Sequence, residues 1–194
     1  MSARAPERSA SDLRRRAATI ATLLCAIVAL LLLGLPSLVW AAQLSRADAA
    51  MRQGMAWPSP RRSDSLPIAT DPAQLALAWS ALGTAIAARP AHPYAYRLRG
   101  QVALASGDAA AAARWFALAL ALAPRDRLVA WELALAYERL GDSERTGAAW
   151  RAAGLTERDF ALRAAEALAA GDEAAARRWD DRTASYTAYL RANR

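Results

Sequence analysis

The chain has few of the residue types on which most enzyme chemistry depends. Its 194 residues include one cysteine, Cys25, and one histidine, His92, and all 25 of its basic residues are arginine. A single cysteine cannot form an intramolecular disulfide or a cysteine zinc site. With only one histidine, Ser-His-Asp and Cys-His catalysis are nearly excluded. We therefore expect a protein that is not an enzyme, has no metal or cofactor and takes no small-molecule substrate.

Alanine is the most abundant residue of the chain. The chain contains 54 alanines, together with many leucines and arginines. These residue types have high helix propensity and leave little material for a sheet. The composition therefore predicts an all-α protein.

The first organised feature is a charge-free segment at residues 17–42, AATIATLLCAIVALLLLGLPSLVWAA. As a helix it would be about 39 Å long at 1.5 Å per residue, which exceeds the roughly 30 Å of a bilayer core. We predict that it is a transmembrane helix.

The charges around this segment predict its orientation. The tail at residues 1–16 is basic, whereas Arg46 and Arg52 are the first cations after the apolar segment. Three cations directly precede it, namely Arg14, Arg15 and Arg16. The positive-inside rule then keeps the N-terminus cytoplasmic and places residues 43–194 outside the cytoplasm. Trp40 lies at the far end, where an amphipathic ring favours the membrane interface. The predicted location is the inner membrane of a bacterial-type envelope.

A cleaved signal peptide is the alternative for this segment. Pro36 followed by Val39, Trp40 and Ala41 resembles a cleavage region and would leave a soluble extracytoplasmic protein beginning near Ala42. Because the apolar run is longer than the about 7 to 15 apolar residues at the centre of a typical signal peptide, we favour a retained anchor.

Residues 43–71 are predicted to be a juxtamembrane helix followed by an extended linker. Four prolines fall within fifteen residues, at Pro58, Pro60, Pro67 and Pro72. Proline removes backbone donors and disfavours helix at the residue before it, so this stretch should hold the following domain away from the bilayer. Within it, Arg61 and Arg62 would give only a weak attachment to anionic headgroups.

From residue 72 onward the sequence repeats. The dipeptide Gly-Asp occurs at 107–108, 141–142 and 171–172, at separations of 34 and 30 residues. Each glycine is expected to end a helix in the left-handed conformation, and each aspartate to cap the next helix. Pro90 and Pro124 should stop helices between units.

A period of about 34 residues with two helices per unit resembles the tetratricopeptide repeat, or TPR. The unit at 93–126 carries that family's residues at positions 4, 8, 20, 24, 27 and 32, which are Tyr96, Gly100, Ala112, Phe116, Ala119 and Pro124. It departs at positions 7 and 11, where Arg99 and Ala103 replace large apolar residues.

The neighbouring units match less completely. The unit at 127–156 has Leu133, Tyr137 and Trp150 at positions 7, 11 and 24, but Thr146 where a small alanine is usual. In the unit at 157–190, Asp180 takes the aromatic position and Trp179 lies one residue away. Residues 72–92 resemble the second helix of a preceding unit. The resemblance implies a short α-solenoid of helix-turn-helix pairs over residues 72–194.

The resemblance also implies a groove lined by the first helix of each unit, which binds a protein or peptide. The positions carried over are Tyr94, Arg97, Gln101, Leu104, Leu128, Trp131, Leu135, Glu138 and Arg158. We expect Trp131 and Arg97 to dominate binding, because Trp and Arg are common interface hot spots. Arg97 and Gln101 echo the carboxylate clamp of some family members, although Glu132 would repel a carboxylate. His92 is expected to be a loop residue at a unit junction.

The resulting prediction is a membrane-anchored interaction module or assembly scaffold, whose partners are envelope or membrane proteins and the bilayer itself. Nucleic acid is disfavoured because arginines and acids are interleaved through the repeat domain. The alternatives are an accessory subunit that contacts a larger membrane complex through its transmembrane helix, and the signal-cleaved soluble form.

Overall fold

The computed structural model describes residues 7–56 and 67–193. Eight helices and one pair of two-residue strands lie within them. The elements in chain order are α1 (Glu7–Gly54), β1 (Met55–Ala56), β2 (Ile68–Ala69), α2 (Pro72–Ala88), α3 (Pro93–Ala105), α4 (Ala109–Leu122), α5 (Arg127–Arg139), α6 (Ser143–Ala152), α7 (Glu157–Ala169) and α8 (Glu173–Ala192). Arg14, Arg15 and Arg16 are part of α1. The predicted linker cations Arg61 and Arg62 lie outside the described residues.

The Gly-Asp turns have the predicted geometry. Gly107, Gly141 and Gly171 have φ angles of 86°, 71° and 76°, which is the left-handed region that favours glycine. The aspartate after each of them caps the next helix, as when the carboxylate of Asp108 accepts a hydrogen bond from the N–H of Ala111 at 2.8 Å. The repeated dipeptide therefore marks the turn inside each helix pair.

The helices pack in antiparallel pairs: α3 with α4, α5 with α6, and α7 with α8. Successive pairs stack, because α2 packs on α3 and α4 packs on α5. Alanine is the commonest buried residue, and in α4 it accounts for five of the six buried side chains, so the helix axes approach closely. The arrangement is a TPR-like helical solenoid.

An additional pair precedes these three, and it corrects the predicted domain boundary. Ala47 and Met51 of α1 belong to one buried cluster with Ala78 and Leu82 of α2, and the partly buried Leu44 packs against it. The strands close this pair, with Met55 opposite Ala69. Residues 44–56 were predicted to leave the repeat domain, but they complete its first unit.

The N-terminal part of α1 extends beyond this packing. The side chains of residues 18–32 are exposed, including Leu30 at 74% and Leu32 at 69%. Among the described residues, this is the one helix that is long and apolar enough to cross a membrane by length and composition. No residue of its most apolar stretch is buried against the rest of the chain.

Trp40 lies where the exposed and packed parts of α1 meet. Its ring is 4.6 Å from the ring of His92, between centroids, and the guanidinium carbon of Arg89 is 5.2 Å from its centroid. His92, expected to be a loop residue, is the N-cap of α3, and its Nδ1 accepts a hydrogen bond from the N–H of Tyr94 at 3.3 Å. The α2–α3 turn therefore lies level with the end of the exposed segment.

Gly100 shows why small residues are needed between paired helices. A Cβ atom at this position would lie 2.6 Å from the ring of Phe116, which is fully buried between α3 and α4. Phe116 fills the space that the missing side chain leaves, so the family's glycine at position 8 has a direct packing role here.

We expect Gly100→Ala to lower the free energy of unfolding by about 1 to 3 kcal/mol, because the ring of Phe116 must move out of its position. Gly83→Ala is the matched control, since the nearest atom to its new Cβ is 3.8 Å away, in the flexible side chain of Arg99. Within α2 that substitution should be neutral or stabilise by up to about 1 kcal/mol through helix propensity. Urea unfolding of the full chain in detergent measures both, and equal effects of the two substitutions would contradict the packing argument.

Candidate functional site

The side chains predicted to line a groove fall into three groups. Tyr94, Leu128 and Arg158 are exposed, the first two at 42% and 48%. Gln101, Leu104 and Leu135 are buried, with at most 5% of their surface exposed. The remaining three contact other helices, and these are Arg97, Trp131 and Glu138.

The assignment of the buried group to an open groove is wrong. Gln101 and Leu104 of α3 and Leu135 of α5 are enclosed by the packed helices, because α3 and α5 contact each other directly. A partner could not reach these side chains without separating the units. Their role is to join neighbouring pairs.

A polar bridge links α3 to α5 at this contact. The Nε and Nη2 atoms of Arg97 donate to the two carboxylate oxygens of Glu132 at 2.7 and 2.9 Å. The side-chain amide of Gln101 donates to the same carboxylate at 2.6 Å. Burial lowers the pKa of Arg97, but the hydrogen bond and the charge of Glu132 outweigh it and hold that pKa above its ordinary value.

This bridge changes the interpretation of the predicted carboxylate clamp. Arg97 and Gln101 do bind a carboxylate, but it is that of Glu132, the residue expected to repel one. Two N–H groups of the Arg97 guanidinium and the side-chain amide of Gln101 are thus already bonded to Glu132. The bridge therefore holds adjacent units in register and leaves Arg97 unavailable as a simple anion receptor.

At the other end of the solenoid, α8 covers the predicted hot spot. The ring of Trp131 stacks on Trp179 of α8 with centroids 5.9 Å apart and planes 19° apart. Arg182 of α8 lies 4.6 Å from the Trp179 ring centroid and pairs with Glu138 of α5 at 3.0 Å. Trp131 is therefore partly buried against α8 and does not present a free ring.

The last pair is also turned relative to the others. Whereas α3 and α5 pack on the preceding second helix, it is α8, not α7, that makes most of the contact with α6. The hydroxyl of Tyr186 in α8 donates to the carbonyl of Leu155 at 3.0 Å, which ties the helix down. The sequence signal for this arrangement was the aromatic residue at 179, one position away from where the repeat places it.

Arg99 stands at position 7 of the unit at 93–126, where the repeat usually has a large apolar residue, and it lies between two tryptophans. Its guanidinium carbon lies 4.2 Å from the ring centroid of Trp79 in α2 and 4.4 Å from that of Trp115 in α4. Burial lowers the pKa of Arg99. The two rings are 5.9 Å apart in an edge-to-face contact, so α2 and α4 are neighbours.

The outward sides of these two helices form a surface that the sequence analysis missed. We call it the α2–α4 face, and it consists of the exposed residues Ala73, Ala76, Leu77, Ser80, Thr84 and Ala87 of α2 and Ala110, Arg114, Ala117, Leu118, Ala121 and Leu122 of α4. Leu77, Leu118 and Leu122 are 55%, 47% and 43% exposed. The sequence feature that could have revealed this surface is the scarcity of charge, since α2 contains no charged residue and α4 has only one.

The corresponding sides of α6 and α8 are different in character. Their exposed residues include Glu144, Arg145 and Arg151 on α6, and Glu173 and Arg177 on α8. Among the second helices of the pairs, only α2 and α4 therefore expose a surface that is almost free of charge. Within residues 7–56 and 67–193, no three His, Cys, Asp or Glu side chains come together in a way that could hold a metal ion.

Comparison with known proteins supports the fold. No protein-family model and no curated protein matches the chain. Among solved structures it is similar to a crystal structure of MamA protein, a TPR-like protein, with a TM-score of 0.51, 14% identity and coverage of 89% of this chain and 85% of that one. A second MamA crystal structure aligns with a TM-score of 0.43, 15% identity and coverage of 62% of this chain and 72% of that one. The chain thus has a TPR-like helical fold.

The bridge between α3 and α5 can be tested with a double-mutant cycle of Arg97→Met and Glu132→Leu. Each single substitution leaves a mostly buried charge without its partner, whereas the double variant removes both charges. We expect the double variant to be less destabilised than the sum of the singles by about 1 to 3 kcal/mol in urea unfolding. Additive effects, within about 0.5 kcal/mol, would show that the pair is not coupled.

Proposed function

We propose that this chain is a membrane-anchored scaffold that binds a protein partner through the α2–α4 face. The apolar part of α1 is the anchor, the N-terminus is cytoplasmic, and the solenoid lies on the extracytoplasmic side of the inner membrane.

The α2–α4 face is the observation that carries this proposal. Contiguous apolar patches of more than a few hundred Å² are rare on monomeric soluble proteins, and they commonly mark interaction sites. Here three exposed leucines stand among alanines on two adjacent helices, and Arg114 is the one charged residue of the face. Association with an apolar protein surface would remove these side chains from water.

The contrast within the chain strengthens the argument. The second helices α6 and α8 belong to the same kind of helix pair but expose charged residues. Solenoid geometry does not by itself require an apolar exterior on α2 and α4. A binding role gives a reason for the difference.

Support for the anchor comes from α1. A helix with exposed side chains such as Ile20, Leu24 and Leu31, each more than half exposed, would be insoluble without a cover. A bilayer supplies that cover along the full exposed length. The arginines at 14, 15 and 16, before the apolar segment, favour the proposed orientation.

Site-specific photo-crosslinking in native membranes tests the binding surface. A photoreactive amino acid at Leu77 or Leu118 should give a crosslinked product of the same mass from either position. The same probe at Leu162, 51% exposed on α7, is the matched control and should give none. Leu122→Glu should abolish the product, because it places a charge within the apolar contact.

The alternatives predict different products. Crosslinks from Tyr94 and Leu128, but not from Leu77 and Leu118, would assign binding to the exposed remainder of the predicted groove. If exchange of residues 17–42 for an unrelated anchor removes the product, the chain instead contacts its partner through the transmembrane helix.

Mass spectrometry of the chain extracted from membranes tests the anchor. The retained form predicts an intact mass of 20.8 kDa in the membrane fraction. A shorter species beginning near Ala42 in the soluble fraction would contradict the anchor and indicate a cleaved signal peptide. For orientation, a cysteine at the exposed Ser106 in a Cys25→Ser background should react with an impermeant maleimide from the extracytoplasmic side.

A further inference from the structure

The two ends of the solenoid can be defined relative to α1. The exposed segment ends at Trp40, and α1 then rises about 21 Å to Gly54. Because the helices alternate in direction, the turns fall into two sets. The anchor-side end comprises the α2–α3, α4–α5 and α6–α7 turns and the end of α8, and the far end comprises the α1–α2, α3–α4, α5–α6 and α7–α8 turns.

Contacts join the first anchor-side turn to Trp40 and join the later anchor-side turns to one another. Arg89 and His92 of the first turn contact Trp40. A Cβ atom at Gly154, in the α6–α7 turn, would lie 3.3 Å from the guanidinium carbon of Arg127, beside the α4–α5 turn. The end of α8 is tied to the same region, where Thr187 donates to Glu157 at 2.6 Å.

Charge is segregated between these two ends. In the turns and flanking helix turns of the anchor-side end, the described residues include six arginines and three acids, namely Arg89, Arg125, Arg127, Arg151, Arg158 and Arg191 against Asp126, Glu157 and Asp159. At the far end the balance is reversed, with three arginines and eight acids, namely Arg52, Arg139 and Arg145 against Asp71, Asp108, Glu138, Asp142, Glu144, Glu166, Asp172 and Glu173.

Helix capping explains only part of this pattern. Four of the far-end acids are aspartates that cap helices, and Arg89, Arg151 and Arg191 lie at helix C-termini, where a cation is favourable. Arg127, however, is the first residue of α5, where the helix dipole disfavours a cation, whereas Arg125 lies two residues beyond the C-cap of α4. Local helix electrostatics therefore does not account for Arg127, whereas an external anion would.

We infer that the anchor-side end lies against the anionic phospholipid headgroups of the bilayer that α1 spans. The inference rests on the proposed anchor, which brings this end to the membrane through the Trp40 contacts. Arg89 and the pair Arg125 and Arg127 face the headgroups first, because their turns follow α1 most closely along the solenoid. The exposed ring of Tyr94, at the start of α3, lies at the same level, as suits an amphipathic side chain at an interface.

Charge complementarity selects this occupant. A sheet of anionic headgroups attracts juxtamembrane arginines within about one Debye length, roughly 10 Å at 0.1 M salt. The acidic far end, about 21 Å along α1 from Trp40, lies beyond this distance and would be repelled only if the solenoid tilted toward the membrane. The solenoid is thereby held upright on the bilayer.

Energy transfer in nanodiscs tests this inference with the full-length chain. A donor dye is placed at Pro124→Cys in a Cys25→Ser background, and a headgroup-labelled lipid is the acceptor. Transfer should be higher in discs that contain phosphatidylglycerol than in discs of phosphatidylcholine alone, and added salt should remove the difference. A donor at Ser106→Cys, at the far end, should show no lipid dependence.

Charge-reversed variants identify the residues responsible. Arg125→Glu with Arg127→Glu should lose the phosphatidylglycerol-dependent increase at position 124. Arg145→Glu with Arg177→Glu is the control, because it makes the same change in net charge at exposed sites at or near the far end and should keep the increase.

The outcomes separate this inference from the proposed function. Equal transfer in both lipids, or equal loss in both charge variants, would overturn the headgroup contact while leaving the anchor intact. A chain that does not co-elute with the discs would overturn the anchor and the inference together. Loss of the crosslinked protein partner in Arg125→Glu with Arg127→Glu, without any lipid dependence, would assign these arginines to an acidic protein and overturn the inference.

Discussion

The close approach of paired helices is the constraint on which the rest of this structure depends. Alanines and Gly100 bring the axes together, and buried rings such as Phe116 fill the space between the helices. A larger residue between the paired helices would force them apart. Every later unit would then shift, because the position of each unit is set by its contact with the preceding one. The turns, the bridge between α3 and α5, and the position of α8 all presuppose this spacing.

The continuity of α1 gives the chain its second organising property. One helix carries both the exposed apolar segment and the first helix of the solenoid, where Leu44 and Met51 pack with α2. Trp40 then contacts Arg89 and His92 across the junction. The orientation of the repeat domain relative to the apolar segment is therefore set by packed side chains, which a proline linker could not do.

Local features were predictable from the sequence, but the accessibility of the predicted groove residues was not. The φ angles at the Gly-Asp turns and the aspartate caps follow from short-range chemistry that a few residues specify. Whether Trp131 is free or covered depends on α8, more than 40 residues away along the chain. Nothing near Trp131 encodes that contact, since the unit at 157–190 was recognisable only as an imperfect repeat.

The sequence by itself determined the helical class, the apolar segment, the positions of the turns and the charge of each turn, because these depend on composition and on neighbouring residues. Only the tertiary structure decided that α1 completes the first unit, that Arg97 and Gln101 donate hydrogen bonds to Glu132, and that Trp131 packs against α8. It also decided that like charges from distant turns gather at one end. These outcomes depend on which helix faces meet, and that choice is made by the summed packing of the whole chain.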